Sequence, residues 1–331
     1  MKSTGKESAT DSAKAAKVTE EKKGRELGGR TSALIYSLIC VFLWALIPVV
    51  SKLGQSDLDN HQFLFWSSLV SFFTLFSAST AAGKLKQFSE IGFSNFFRAV
   101  FAGFLGTYLY YILLYYGYAN ALGLEVLVLQ YSWPLFVAFL SALILREKIT
   151  SRRITAIILG FAGVAVVLTK GNLAAVHLSN SKASILVLAG AFAFALFSVL
   201  GKKTETDPYV LNTVYFLTAL AASFFSMLYF SGFRLPSAAT FYPVMINGIL
   251  VNGISYVFWI KALRKAEASF AASIIFLTPV AAAGYLLLFF GEPPHPAYLA
   301  GLVLVVTGGT MSTWPHGNGD KRNLKQNERK K

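Results

Sequence analysis

Ionisable side chains are scarce in this chain. Only 14% of its 331 residues are charged, where soluble domains carry about a quarter, so a water-facing globule is not the expected class. Cys40 is the single cysteine, which excludes an internal disulfide framework and a thiolate metal cluster and leaves the redox compartment open. The four histidines, His61, His177, His295 and His316, are scattered through loops and a tail. There is no phosphate-binding glycine loop, no His-Glu-x-x-His, no Gly-x-Ser-x-Gly and no acidic cluster suited to a metal. Neither an enzyme nor an ATP-driven pump is expected, and no cofactor or metal is implied. The net charge of +14 does not point to nucleic acid, because the basic residues occupy two tails and short loops instead of one stripe.

What the chain does have is apolar length: 55% of its residues are hydrophobic. A membrane-crossing helix needs about 20 mostly apolar residues to match a hydrocarbon core of about 30 Å. Ten segments are predicted to qualify: 32–51, 61–82, 94–117, 122–145, 152–170, 183–201, 209–231, 241–263, 267–290 and 296–314. Residues 1–31 and 315–331 are polar and basic and read as disordered cytoplasmic tails; 1–31 carry no apolar core of a secretory signal. With the N-terminus inside, every one of the 30 Lys and Arg except Lys52, Lys170, Lys182 and Arg234 falls on the cytoplasmic side. The expectation is a multi-pass protein of the cell (inner) membrane with both termini cytoplasmic.

The chain also resembles itself. A shift of 145 places Pro134 on Pro279, Glu147 on Glu292, Tyr111 on Tyr256 and Gly163 on Gly308; a shift of 150 lays "WALIPVVSK" from Trp44 over "FALFSVLGK" from Phe194. The halves are then 32–170 and 183–314, five spans each. An odd number of spans makes the second copy enter the membrane from the opposite side, giving two inverted five-helix repeats around a central cavity at the midplane. Transport becomes the expected class, with a small-molecule substrate and the lipid bilayer as partners.

Candidate site residues follow from polar or aromatic groups at mid-span. Glu125 sits about one turn into the fourth span; a carboxylate there is costly in lipid and should face a cavity or a polar group. It reads either as a substrate-amine or proton-coupling site or as a first-turn glutamate at headgroup level. Pro134 should kink its helix and free the carbonyl of Gln130, and Pro279 should do the same in the other half. Gln130, Tyr131 and Trp133 would then present polar and aromatic groups beside the kink. Tyr108, Tyr111, Tyr115 and Tyr118 share one face of the third span, as Asn252, Ser255, Tyr256 and Trp259 do in the eighth. These faces suit a cavity wall that stacks on a ligand; interfacial aromatic belts account for Tyr115 and Tyr118 as well. Trp44 and Trp133 are each either a gate or core packing. Gly103, Gly106, Gly160, Gly163, Gly308 and Gly309 read as points of close helix approach, and Arg146-Glu147-Lys148 as an interfacial loop.

The segment "ANALGLEVLVLQYSWPLFVAFLSALILREKITSRRITAIILGFAGVAVVL" and the ten-span plan resemble the EamA-like family of the drug/metabolite transporter superfamily. Glu125 followed by Gln130-Tyr131-Ser132-Trp133-Pro134 resembles the YddG-type aromatic amino-acid exporters more closely, with Gln130 where those tend to have Asn. The resemblance implies an alternating-access carrier exporting aromatic or hydrophobic amino acids. Other metabolites (drug, nucleobase or nucleotide-sugar type) and lipophilic cations are the alternative cargo. Proton antiport and facilitated diffusion both remain open. A passive pore is the rival within transport. A structural or lipid-binding membrane protein is the rival outside it, and would have a filled centre with no cavity.

Overall fold

A computed structural model describes residues 28–121, 123–172, 174, 180–290 and 295–313. Among the described residues the fold is all helix, with no strand. The longer helices are α1 (Gly28–Gly54), α2 (Asn60–Ala81), α3 (93–120), α4 (Gly123–Gln130 and Trp133–Ile144), α5 (Ser151–Leu168), α6 (Ser181–Lys203), α7 (Pro208–Phe230), α8 (Ala238–Lys265), α9 (Ala268–Ile275 and Thr278–Phe290) and α10 (Pro296–Thr313), with a short helix, Leu85–Glu90, between α2 and α3. Eight of them, all but α4 and α10, are long and apolar enough to cross a membrane. The fourth and tenth predicted spans fall on shorter apolar helices, Val128–Ile144 and Pro296–Met311.

Polar residues at the span edges start the helices. Asp59 accepts the N–H groups of His61 and Gln62 and forms a reciprocal capping box with Gln62. Asn180 and Asp207 accept the N–H groups of Ala183 and Tyr209 to cap α6 and α7. Each satisfies a helix-end donor that has no partner within the helix. The outward faces are apolar: Phe139, Leu143, Ile158, Ile185 and Phe225 are exposed, a surface suited to lipid rather than water.

Inside the bundle, lipid-like side chains give no special driving force, so small and polar groups do the joining. The Ser71 hydroxyl donates to the Ser67 and Gly248 carbonyls at 2.7 and 2.9 Å, and Asn247 donates to Ser67 Oγ at 2.9 Å, tying α2 to α8. Helices α5 and α10 approach so closely that a Cβ on Gly163 would lie 2.8 Å from the Gly301 carbonyl oxygen. Gly309 faces open space and does not make the close approach expected of it.

Three helices are interrupted. The helical hydrogen-bond pattern is interrupted at Ala45–Leu46, Tyr131–Ser132 and Phe276–Leu277, where Leu46, Ser132 and Phe276 keep helical dihedrals, and Pro48, Pro134 and Pro279 each stand second in the helix that restarts. Proline is tolerated there because a first-turn N–H has no intrahelical acceptor to lose. Two other helices carry π-helical segments, Phe104–Leu109 in α3 and Asn247–Ile254 in α8. Thr107 reinforces the first by donating to Gly103 and across to the Tyr215 carbonyl, at 2.6 and 3.1 Å.

Candidate functional site

A cavity of about 540 Å³ lies among α1, α3, α4, α5, α6, α8, α9 and α10, with the start of α2 at its edge. All three helix interruptions reach its wall: Trp44, Ile47 and Pro48 from α1, Gln130, Tyr131 and Trp133 from α4, and Ile275, Thr278 and Pro279 from α9. The breaks matter because an unbroken helix would keep its own backbone covered on the cavity side.

The floor is aromatic. Trp44 packs edge-on to Trp133, Phe194 and Tyr256 with ring centroids 6.2, 6.1 and 6.0 Å apart, and Trp133 meets Phe194 at 4.9 Å. Hydrogen bonds from beneath fix these rings. Trp44 Nε1 donates to Ser255 Oγ at 2.7 Å. Tyr111 donates to Asn252 Oδ1 at 3.1 Å and lies 3.4 Å from the Tyr256 hydroxyl. Trp259 Nε1 donates to Ser198 Oγ at 3.0 Å while its ring supports Trp44 and Trp133, at 5.5 Å from each.

The mouth is polar: Ser51, Lys52, Gln55, Asn60, Lys170 and Tyr298 line the end reached by the C-termini of α1 and α5. The opposite end of the bundle is sealed by charge. Glu147, one-tenth exposed, pairs with Lys202 and accepts the Ala268 N–H at 3.0 Å. Lys202 Nζ also donates to the Ala266 carbonyl at 2.6 Å. Next to it Glu267 pairs with Arg153 at 3.2 Å and Arg30 at 3.0 Å. Burial alone would raise the Glu267 pKa, but Arg153 and Arg30 beside it outweigh that and hold it at about 2.

Of the residues singled out in the sequence, Trp44, Tyr111, Gln130, Tyr131, Trp133, Tyr256 and Pro279 line the cavity. Asn252 and Trp259 are buried behind the floor and position it. Pro134 is buried just past the α4 break. Tyr108 is turned elsewhere and packs on Phe104 at 5.4 Å. The side chains of Glu125, Tyr115 and Tyr118 lie outside the described residues.

Sequence reasoning missed several wall residues. Tyr110 lines the cavity beside Tyr111 because the π-helical segment inserts an extra residue and rotates the face that 3.6-residue spacing predicts. Lys52 and Lys170 read as orienting charges, yet they sit on the mouth; being two of the four basic residues expected on the side away from the tails was the available signal. Glu147 is a correction: its loop is not a bland interfacial turn, since its carboxylate is nearly buried between α6 and α9. Among the described residues no group of three or more His, Cys, Asp or Glu could hold a metal.

Comparison with known proteins fits this geometry to a family. The EamA-like transporter family model matches residues 31–169 and again 181–314. The chain belongs to the EamA-like transporter family. This EamA-like protein is multi-pass, with eight helices among the described residues long and apolar enough to cross a membrane. It is 26% identical over 185 residues to the uncharacterized transporter YyaM of Bacillus subtilis, covering 53% of this chain and 59% of YyaM, under two thirds of that relative's length. An uncharacterized transporter of Archaeoglobus fulgidus is 23% identical over 285 residues, 83% of this chain and 95% of the relative. A riboflavin transporter of Vibrio cholerae is 26% identical over 186 residues, 55% of this chain and 59% of the relative. A solved crystal structure superposes with a TM-score of 0.76 at 18% identity, covering 86% of this chain and 97% of that one, which speaks for the fold alone.

Proposed function

We propose that this EamA-like protein is a ten-helix carrier of the cell membrane whose halves, 32–170 and 183–314, rock around the cavity to give alternating access. The observation that carries this reading is the one-sidedness of the cavity: open at the Lys52–Lys170 mouth, floored by Trp44 and Trp133, and clamped at the far end by Glu147 and Glu267. A carrier needs such a state and its converse; a passive pore would be open at both ends. The positive-inside distribution makes the clamped end cytoplasmic, with both chain termini on that side.

Several features support an inverted repeat. The 145-residue shift seen in the sequence carries the α4 break at Tyr131–Ser132 onto the α9 break at Phe276–Leu277, and the end of one π-helical segment onto the end of the other. The mates Tyr111 and Tyr256 meet hydroxyl to hydroxyl, as matching residues do where they lie on the axis relating two copies.

The cargo we propose is a small metabolite with a flat aromatic or apolar body, since that is what the floor can stack on; aromatic amino acids are the first class to try. The test is uptake of radiolabelled aromatic amino acids into proteoliposomes, with and without a pH gradient, for wild type and Glu125→Gln. Gradient-dependent accumulation that the variant loses would make Glu125 the coupling group. Equal equilibration by both would make the protein a facilitator. Flux that shows no exchange with unlabelled substrate across the membrane would sink the carrier mechanism.

A further inference from the structure

Between α4 and α5 the chain runs Arg146-Glu147-Lys148-Ile149-Thr150 without helix or strand. Leu145 and Glu147 both donate their N–H to the Ser141 carbonyl, at 3.0 and 3.2 Å. Arg146 between them has a φ of 56°, left-handed backbone that glycine or asparagine adopts more easily than arginine. Strain of this kind points to a use for the side chain. Extended residues alternate sides. Glu147 is turned inward onto Lys202 and the Ala268 N–H, and Ile149 packs inward against the cluster of Ala138, Val164 and Phe276. Arg146 and Lys148 face the other way and are exposed. The same division continues into α5, where Arg153 is buried on Glu267 and Arg152 before it is exposed.

Three cations thus stand on the outer side of one short connection, and among the described residues none of them is in an ion pair. The C-terminus of α4 favours positive charge, which accounts for Arg146 but not for Lys148 and Arg152 at the start of α5. Apolar side chains flank the group: Leu143, three residues before Arg146, and Ile154 and Ile158 in α5 are half to two-thirds exposed. Those residues face hydrocarbon, so the cations lie at the level where it meets the headgroups. Clustered basic residues at that level attract anionic lipid. A small free anion would gain nothing from the apolar flanks, whereas a lipid uses both.

We propose that the α4–α5 connection binds the headgroup of an anionic phospholipid through Arg146, Lys148 and Arg152, with the acyl chains along Leu143, Ile154 and Ile158. Glu147 stands between two of these cations, so the bound headgroup also holds its carboxylate on Lys202 and the start of α9 and favours the state closed at this end. The lipid site stands by itself; its effect on the clamp rests on the proposed carrier reading.

The test uses the full chain in detergent, with bound lipid counted by native mass spectrometry as phosphatidylglycerol or phosphatidylcholine of the same acyl chains is added. Phosphatidylglycerol should bind at least about tenfold more tightly, because each cation at an anionic surface is worth about fivefold. Lys148→Gln and Arg152→Gln should each weaken it by about fivefold. Arg146→Asn should do the same with an unchanged or raised melting temperature, since asparagine suits left-handed backbone. Lys86→Gln and Arg98→Gln, which remove exposed cations of the α2–α3 region, should leave the affinity unchanged. Equal affinity for the two lipids, or equal weakening by all five variants, would overturn the site. Competition by glycerol phosphate as strong as by phosphatidylglycerol would overturn the lipid as its occupant. In nanodiscs, phosphatidylglycerol should slow the reaction of Cys40 with N-ethylmaleimide in wild type and not in the Arg146→Asn, Lys148→Gln, Arg152→Gln triple variant. Lipid preference without that slowing would overturn the link to the clamp. Substrate exchange in proteoliposomes of phosphatidylcholine alone tests the carrier reading separately, because no anionic lipid is present there.

Discussion

At the scale of residues, the cavity depends on groups that do not touch it. Asn252 and Ser255 are polar residues in an apolar helix, and each holds one floor side chain by a single hydrogen bond. Replacing Asn252 by Ala removes one acceptor of the buried Tyr111 hydroxyl, and Tyr111→Phe removes the donor to the buried Asn252 Oδ1, so each is expected to cost about 1–3 kcal/mol and the double variant less than the sum of the two. Thermal unfolding in detergent would measure both. Strict additivity of the two losses would mean that the Tyr111–Asn252 hydrogen bond contributes nothing to stability. Both variants should also slow transport, since the Tyr111–Tyr256 wall shifts with them.

At the scale of elements, the α5–α10 contact is the tightest constraint. Gly163 and Gly301 face each other across it, and a side chain on Gly163 would drive into backbone that has nowhere to go. Gly163→Leu should cost about 1–3 kcal/mol or more, visible as reduced yield and a lowered melting temperature. Gly309→Ala, which meets open space, should be neutral. An equal effect at both positions would mean that helix propensity, and not packing, governs. The broken helices are the other lesson at this scale. Pro134 and Pro279 announced interruptions in the sequence, and the structure has interruptions beside them. The break in α1 was not anticipated, although Pro48 marks it in the same way. The π-helical segments left no mark that periodicity could read, because they depend on contacts such as Thr107 to the Tyr215 carbonyl, more than a hundred residues away.

At the scale of the whole molecule, the clamp at the closed end decides which side the cavity faces. Cys40, the chain's only cysteine, is buried on the clamped side of Trp44 and donates to the Ser255 carbonyl at 3.3 Å. It therefore reports on opening at that end. In wild type it should react slowly with N-ethylmaleimide. Glu147→Gln should speed the reaction by about tenfold or more, because losing a hydrogen-bonded charge costs roughly 1.5–3 kcal/mol and each 1.4 kcal/mol is tenfold. An unchanged rate would mean that the clamp does not hold the bundle shut. Glu267 makes a pH prediction. Its pKa is depressed from 4.5 to about 2, so its stabilisation is complete above about pH 4.5 and is lost only as the pH falls toward 2. The melting-temperature difference between wild type and Glu267→Gln should stay constant from about pH 5.5 to 8 and shrink below about 4.5. A difference that vanished near neutrality would make Glu267 a proton switch instead.

Two kinds of information separate at that same scale. The membrane class and the helix content follow from composition and apolar run length alone, because a bilayer sets the length a helix must have and forbids unpaired backbone. Part of the cavity wall was legible too, since Trp44, Tyr111, Gln130, Tyr131, Trp133 and Tyr256 are polar or aromatic at mid-span, where lipid would not want them. Which faces meet could be decided only by the fold. Tyr110 replaced Tyr108 on the wall because a π-helical turn rotated α3. Lys52 and Lys170 became mouth residues because α1 and α5 end at the same cavity. Glu147 turned from a loop charge into a clamp because α6 and α9 bring Lys202 and the Ala268 N–H to it. Each of these depends on contacts far apart in the chain, and no local spacing encodes them.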